Sequence, residues 1–198
     1  MPVINATIDG VAVEIEEGCT GTQYYESRSD VVAMTVDGNA WDLSREIPSG
    51  ATVEAITLNS PAGLEILRHS CTHVMAQAVQ EIFPDVNLGI GPFITDGFYY
   101  DFGAIDAVTP EMLREIEKRM KRIVKEGQRF VRREISEEEA TRELAAQPYK
   151  LELVTTKGKG AEGASVEVGG ATLTMYDNVR RDGSVAWKDL CRGPHLPS

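Results

Sequence analysis

Alternating apolar and polar positions dominate about the first 58 residues of the chain. Residues 3–15 alternate around Asp9-Gly10, and a second alternation turns at Asp37-Gly38. Both dipeptides are typical of β-hairpins, because Gly supplies the positive φ that a tight turn needs. Residues 51–57 follow a Pro-Ser-Gly turn as a last strand. The pattern predicts a small β-rich module, which we interpret as an accessory or docking domain because it holds no histidine.

A helical pattern replaces the alternation after this module. Ser60 is suited to cap the free amides of a helix, and Pro61 has a preset φ for the first helical position. The helix is predicted to run to about Phe83, since Pro84 ends it. Apolar residues fall on both of its faces. We therefore expect a central buried helix whose histidines point into an interior or a cleft.

The rest of the chain mixes strands and helices. Helices are predicted from Thr109-Pro110 to Gly127 and from Ser136 to about Gln147-Pro148. Strands are predicted at residues 86–94, 98–102, 130–135, 149–154, 165–168, 171–176 and 185–190. Because the elements do not alternate strictly as β-α-β, we predict an α+β fold with a mostly antiparallel sheet.

Composition limits the class of protein. The 198 residues are 42% hydrophobic and 26% charged, as in ordinary globular proteins that bury a core. An amino-terminal targeting pattern is missing, and no apolar run approaches the length of a membrane span. Three cysteines without framework spacing fit a reducing compartment. We expect a cytoplasmic protein that does not enter a membrane.

The net charge of −11 opposes general binding to nucleic acid, so any RNA contact needs a local basic patch. One basic concentration occurs, in and just after the second predicted helix. It is either a solvated helix face or a surface that follows an RNA backbone. Its cations are Arg114, Lys118, Arg119, Lys121, Arg122, Lys125, Arg129, Arg132 and Arg133.

All three histidines of the chain belong to two short motifs. His69 and His73 are four residues apart and lie one turn apart on one helix face, so both imidazoles can reach one ion or one substrate atom. Cys191 and His195 form a second pair around Gly193-Pro194. Four nitrogen and sulfur ligands in two pairs are a sensible set for Zn²⁺.

Two better-known motifs are excluded. The histidine pair is not the HExxH of zinc peptidases, because no Glu follows His69 and the general base of that mechanism is missing. Residues 158–163 spell GxGxxG, but a strand is predicted after them in place of the helix that would hold a pyrophosphate.

Five longer motifs together resemble the editing domain of bacterial threonyl-tRNA synthetases, in the same order and at similar separations. They are Arg-His-Ser-Cys-Thr-His at 68–73, Gly-Ile-Gly-Pro at 89–92, Asp-Gly-Phe-Tyr-Tyr-Asp-Phe at 96–102, Pro-Tyr-Lys at 148–150 and Asp-Leu-Cys-Arg-Gly-Pro-His at 189–195. The resemblance implies an editing domain at residues 60–198 and, more weakly, a small β-grasp TGS domain at residues 1–59.

The resemblance implies hydrolysis of the ester in seryl-tRNA(Thr), which forms when serine is mistaken for threonine. Gly91, Tyr100 and Lys150 would shape the pocket for the seryl group and the terminal adenosine. The hydrolytic centre would be lined by His69, His73, Asp189, Cys191 and His195, with Lys150 or a histidine assisting proton transfer.

Cofactors and partners follow from the same resemblance. Editing is expected to need no metal, although zinc stays open at His69, His73, Cys191 and His195. The expected partners are the acceptor end of tRNA(Thr) and the aminoacylation domain of a longer, homodimeric parent enzyme. ATP and Mg belong to that domain, so we expect an editing fragment that does not activate threonine. The alternatives are a non-catalytic zinc or tRNA-docking module, or a freestanding hydrolase.

Overall fold

A computed structural model of the protein describes residues 2–103, 105, 108–156 and 172–198. The fold of the described residues is α+β, with one mixed sheet, further antiparallel strand pairs and five helices. These residues divide into two units. The first comprises Met1–Leu67 with Gly193–Pro197, and the second comprises Arg68–Arg192 with Ser198.

A five-stranded sheet forms the first unit. Its strands in chain order are β1 (Val3–Ile8), β2 (Val11–Glu16), β3 (Val31–Val36), β4 (Asn39–Trp41) and β5 (Thr52–Thr57), and their order across the sheet is β2-β1-β5-β3-β4. The β1 and β5 strands pair in parallel, and the other neighbours pair antiparallel. The alternating pattern did not show this parallel pair or the short helix α1 (Gly21–Tyr24).

Both predicted hairpin turns are confirmed. Asp9 and Gly10 have φ of 50° and 80°, and Asp37 and Gly38 have φ of 49° and 79°. Two consecutive positive φ values match the right-handed twist of the flanking strands. Asp9 also accepts a hydrogen bond from the amide of Ala55 on β5, so this turn residue ties the hairpin to the sheet.

The long helix α2 (Pro61–Ile82) begins in the first unit and continues in the second. Ser60 caps it as predicted, since its Oγ accepts from the amide of Gly63 at 3.0 Å. The face that carries His69 and His73 is buried as predicted, whereas Cys71 on the opposite face is half-buried.

The second unit contains three groups of paired strands. A three-stranded antiparallel sheet has the order β10-β11-β12, and two smaller pairs are β6-β9 and β7-β8. The strands are β6 (Asn87–Leu88), β7 (Phe93–Ile94), β8 (Gly97–Phe98), β9 (Phe102–Gly103), β10 (Arg129–Ile135), β11 (Leu173–Val179) and β12 (Val185–Leu190). The helices are α3 (Pro110–Glu126), α4 (Glu137–Glu143) and α5 (Pro148–Thr156).

The strand predicted at residues 149–154 is wrong, because α5 occupies this segment. Pro148 stands at the first position of α5, where its missing N–H costs nothing. The buried residues Lys150, Leu153 and Val154 have the spacing of one helix face. Pro148 therefore begins a helix, and the preceding helix α4 ends earlier than predicted, at Glu143.

The long strands predicted at 86–94 and 98–102 are also wrong in extent, since each is interrupted. Gly89, Gly91 and Pro92 lie in the interruption of the first segment. Glycine weakens the interior of a strand, and proline cannot donate a hydrogen bond to a neighbouring strand. The two segments still run side by side, because the amide of Gly89 donates to Asp101 O at 2.8 Å and the amide of Asp101 donates to Ile90 O at 2.9 Å. Residues 95–96 form the turn of the antiparallel β7-β8 pair.

Helix α3 starts and stops where predicted. Thr109 caps its amino terminus, and Gly127 ends it with a φ of 60°. Its apolar side chains are only partly buried, because Ile123 is buried but Leu113 and Val124 are 57% and 67% exposed. The GxGxxG segment at 158–163 and the strand predicted at 165–168 lie outside the described residues.

Candidate functional site

Lys150 and Asp189 form a buried ion pair in the second unit. Both side chains have 0% exposure, and Lys150 Nζ lies 3.0 Å and 3.2 Å from the two carboxylate oxygens. Helix α5 presents Lys150 in its first turn, whereas β12 presents Asp189 one residue before its end. A buried ammonium is costly unless a counter-charge compensates it, and Asp189 supplies that charge.

Tyr100 shares the same carboxylate. Its hydroxyl donates to Asp189 Oδ2 at 2.5 Å, and Lys150 Nζ lies 5.4 Å from the centroid of its ring. The ring stacks on Phe102 with centroids 4.9 Å apart. Burial raises the pKa of Asp189, while the Lys150 ammonium and the hydrogen bonds act in the opposite direction.

Gly91 leaves the space that the Tyr100 ring occupies. A Cβ added at Gly91 would lie 2.3 Å from Cδ2 and 2.7 Å from Cε2 of Tyr100, far inside van der Waals contact. The sequence resemblance placed both residues in one pocket, and the structure shows that they touch. Only a residue without a side chain lets the ring reach Asp189 in this way.

The two histidines of α2 face each other edge to face. Their ring centroids are 5.5 Å apart at an interplanar angle of 82°. His73 Nε2 lies 4.0 Å from Asp189 Oδ2, so this imidazole adjoins the Lys150–Asp189 pair. Burial, and then the nearby His69 and Lys150, hold the pKa of His73 well below its ordinary value of 6.5. His73 is therefore neutral at physiological pH, and its Nε2–Asp189 contact is not an ion pair there.

Cys191 contacts the other histidine. Its Sγ lies 3.2 Å from His69 Nε2, and both side chains are buried. The backbone of Cys191 is held beyond the end of β12, since its amide donates to Thr174 O at 3.1 Å and its carbonyl accepts from the Thr174 hydroxyl. These contacts fix the position of the thiol relative to α2.

His195 belongs to the carboxy-terminal segment that is part of the first unit. Its side chain is buried with 1% exposure, and its amide donates to Asp42 Oδ1 at 3.0 Å. The second unit thus brings together His69, His73, Gly91, Tyr100, Lys150, Asp189 and Cys191, whereas His195 is positioned by its contacts in the first unit.

Three buried residues of the second unit, His69, His73 and Cys191, offer ligand atoms that could hold a metal ion. The three in the second unit have ligand atoms within 4.8 Å of one another. Two imidazoles and one thiolate are donors that Zn²⁺ prefers. Tetrahedral zinc would place its sulfur and nitrogen ligands about 3.5 Å apart, so the 3.2 Å between Cys191 and His69 would have to widen slightly. The chemical types of the three donor atoms therefore fit zinc.

Reasoning from sequence missed the aromatic surroundings of His73. Trp187 and Phe130 contact its ring edge to face, with centroids 5.2 Å and 6.2 Å away. Trp187 and Asp189 are two residues apart on β12 and point to the same face of the strand. This two-residue spacing could have revealed Trp187 from the sequence, because residues two apart on a strand face the same side and Asp189 was already assigned to the site.

A pocket of about 230 Å³ lies over β1 and β2 in the first unit. The helices in the described ranges are too short or too polar to cross a membrane.

Comparison with curated proteins connects the chain to the aminoacyl-tRNA synthetases. The relatives are, more specifically, threonine–tRNA ligases, and the chain is homologous to a region of these bacterial enzymes. The ligase of Cutibacterium acnes is 69% identical over 93% of this chain and 27% of its own length. The ligase of Micrococcus luteus is 54% identical over 97% and 29%, and that of Thermobifida fusca is 52% identical over 100% and 31%.

The chain therefore spans about 30% of the length of these curated relatives. No family model matches the chain. The relatives confirm the resemblance to threonyl-tRNA synthetases that the motifs indicated, since all of them are threonine–tRNA ligases and they match nearly the whole chain.

Proposed function

We propose that this chain hydrolyses the ester bond of mischarged seryl-tRNA(Thr), as the editing part of a threonine–tRNA ligase. The observation that carries the proposal is the buried Lys150–Asp189–Tyr100 group beside the neutral His73. Structural ion pairs are more often exposed, and buried groups with shifted pKa values cluster at functional sites. Within this proposal, residues 1–59 are a TGS-like β-grasp domain and residues 60–198 are the editing domain.

The need for such a site follows from the limits of binding selectivity. Serine differs from threonine by one methyl group, and one methyl group yields only about 10-fold to 200-fold discrimination. A second site that is too small for threonine can remove the error. Gly91 and Tyr100, which are in contact, would form the wall that excludes the larger side chain.

The chemistry needs one proton acceptor and one donor. A water molecule attacks the ester carbonyl, the C–O bond to the ribose breaks, and serine and the free 3′ end of the tRNA are released. His73 is neutral and can accept the proton of the water and then return it to the ribose oxygen as the C–O bond breaks, while the Lys150 ammonium can stabilise the developing oxyanion. Asp189 would hold both groups, because it contacts Lys150 directly and adjoins His73.

Zinc, if bound at His69, His73 and Cys191, would supply a Lewis acid and an acidified water. The residues present can orient the substrate and move a proton without it. His69 then acts with Cys191 as a buried wall of the site. The sequence resemblance also assigns His195, the last residue of the C-x3-H motif, to the hydrolytic centre.

Deacylation of seryl-tRNA(Thr) and threonyl-tRNA(Thr) by the full chain tests the proposal. We expect the seryl ester to be hydrolysed at least about 100-fold faster than the threonyl ester, and Lys150→Ala and His73→Ala to lower the seryl rate by a similar factor. Lys118→Ala is the matched control, because Lys118 is 80% exposed on α3. Wild-type hydrolysis no faster than the background, or equal rates for both esters, would refute the esterase.

A non-catalytic zinc module is the second candidate, and the three clustered donors of the second unit favour it. Metal analysis of protein purified without chelators distinguishes the two. One equivalent of zinc together with absent deacylation supports the structural module, whereas deacylation that survives chelation supports the metal-free esterase.

A further inference from the structure

Two glutamines of α2 bind the sheet of the second unit next to His73. Gln80 Oε1 accepts from the indole N–H of Trp187 at 2.6 Å, and Gln77 Oε1 accepts from Asn178 Nδ2 at 2.8 Å. Trp187 on β12 and Asn178 on β11 are directly paired across the two strands. We call Gln77, Gln80, Asn178 and Trp187 the glutamine clamp.

The clamp determines where β12 lies along α2. Gln77, Asn178 and Trp187 are 1%, 2% and 8% exposed, so a lost hydrogen bond would leave polar atoms without water. Apolar contacts between a helix and a sheet tolerate small displacements, whereas buried hydrogen bonds do not, because each unpaired group costs about 1–3 kcal/mol. The clamp therefore specifies one register between helix and sheet.

That register brings two residues of β12 to one histidine. Trp187 contacts the edge of the His73 ring, and Asp189 lies two residues further along the strand, with its Oδ2 4.0 Å from His73 Nε2. A displacement of β12 along α2 would change both contacts together. The orientation of the imidazole and its distance from the carboxylate thus depend on the same two hydrogen bonds.

We propose that the glutamine clamp is a positioning device that holds His73 against Asp189 for ester hydrolysis, with Trp187 as the member that contacts the imidazole. The chemistry of this inference rests on the proposed function. The geometry does not, and it is tested separately.

Trp187→Phe keeps an aromatic ring against His73 and removes the indole N–H, whereas Gln80→Leu removes the acceptor. Each variant is expected to lower kcat for seryl-tRNA(Thr) by about tenfold with KM changed less than about twofold, because misplaced catalytic groups affect the chemical step. Since both variants break one hydrogen bond, the double variant should lose no more than about twofold beyond either single variant.

Conservative rescue separates positioning from a general loss of packing. Gln80 also donates to Val86 O at 3.2 Å, and Gln80→Glu and Gln80→Leu both lose that bond. Only Gln80→Glu keeps an oxygen acceptor for Trp187, so it should retain a higher kcat than Gln80→Leu. Trp41→Phe is the matched control, because Trp41 is the other of the two tryptophans and lies on β4 in the first unit.

Crystal structures of the wild type, Trp187→Phe and Gln80→Leu provide a second measurement that does not need activity. We expect the distance between His73 Nε2 and Asp189 Oδ2 to change by more than about 0.5 Å in both variants, a shift large enough to disturb a catalytic contact. If the wild type does not hydrolyse seryl-tRNA, the proposed function fails and this distance decides the inference. An unchanged distance, an unchanged kcat in both folded variants, or equal kcat for Gln80→Glu and Gln80→Leu would overturn it.

Discussion

Asp189 is the residue on which the polar contacts of the site converge. Its carboxylate accepts from Lys150 and Tyr100, and the amide of Leu190 donates to its Oδ1 at 2.8 Å. Breaking a buried pair by removing one partner costs about 3–5 kcal/mol, whereas well-packed apolar residues replace such pairs with little loss. The pair is therefore weak evidence for a stabilising role and better evidence for a chemical one.

Gly91 offers a sharp test at the same scale. Gly91→Ala should lower the hydrolysis of seryl-tRNA(Thr) by at least about tenfold, because the new Cβ would displace the Tyr100 ring and its hydroxyl from Asp189. Initial rates under single-turnover conditions measure this. Gly97→Ala is the matched control, since no atom lies within 4 Å of a Cβ added at Gly97. Equal rates for the two variants would contradict the predicted role of this contact.

At the scale of elements, Glu143 links α4 to two strands. Arg133 of β10 contacts both of its carboxylate oxygens at 2.7 Å, and Lys188 of β12 contacts one of them at 2.7 Å. Arg133 also contacts Asp177 of β11. The network lies on the helix and sheet that support the site. These cations lower the pKa of Glu143 from its ordinary value of 4.5 to about 2.

The lowered pKa of Glu143 predicts how stability depends on pH. The unfolded chain binds a proton at Glu143 near pH 4.5 while the folded protein does so only near pH 2, so the stability from this network is present above pH 4.5 and lost as pH falls toward 2. Glu143→Gln should therefore lower the free energy of unfolding at pH 7 and flatten its decline over that range. Urea unfolding between pH 7 and pH 2.5 measures how the free energy of unfolding changes with pH in the wild type and in Glu143→Gln. Glu152→Gln on α5 is a suitable control, and parallel slopes for the wild type and Glu143→Gln would exclude this role.

At the scale of the whole molecule, the net charge limits any contact between the chain and RNA. The formal net charge is −11, and cations of the basic helix α3 are matched by acidic neighbours. Ion pairs within α3 are Arg114–Glu111, Lys118–Glu115, Arg119–Glu115, Lys121–Glu117 and Arg122–Glu126. The alternative of a solvated helix face is thereby favoured, because a phosphate would have to displace a carboxylate from each of these five cations.

Under the proposed function, binding of the chain to tRNA(Thr) should consequently depend weakly on salt. The slope of the logarithm of the binding constant against the logarithm of salt concentration is about −0.9 per phosphate contact on a duplex. With most α3 cations paired, we expect a slope no steeper than about −3 between 50 and 200 mM salt. Fluorescence titration with labelled tRNA measures it, with Lys121→Ala as a variant that should leave the slope unchanged. A slope steeper than about −6 would mean that the helix does follow the phosphate backbone.

Local signals in the sequence were sufficient for much of the fold. The Asp-Gly turns, the Ser60 cap of α2 and the Thr109 and Gly127 ends of α3 depend on residues close together in the chain, and the structure confirms them. The spacing of His69 and His73 likewise placed both on one buried helix face. Such features could be predicted because backbone preferences and capping act over a few residues.

Lys150, Gly91 and Trp187 show what only the tertiary structure decided. Lys150 was predicted in a strand and lies buried in α5, because Asp189, 39 residues away in sequence, compensates its charge. The contact of Gly91 with Tyr100 and the bond of Trp187 to Gln80 likewise join distant segments. By itself the sequence determined which residues are candidates for the proposed chemistry and where most helices and turns begin. The tertiary structure decided their partners, since burial and long-range pairing have no local signal.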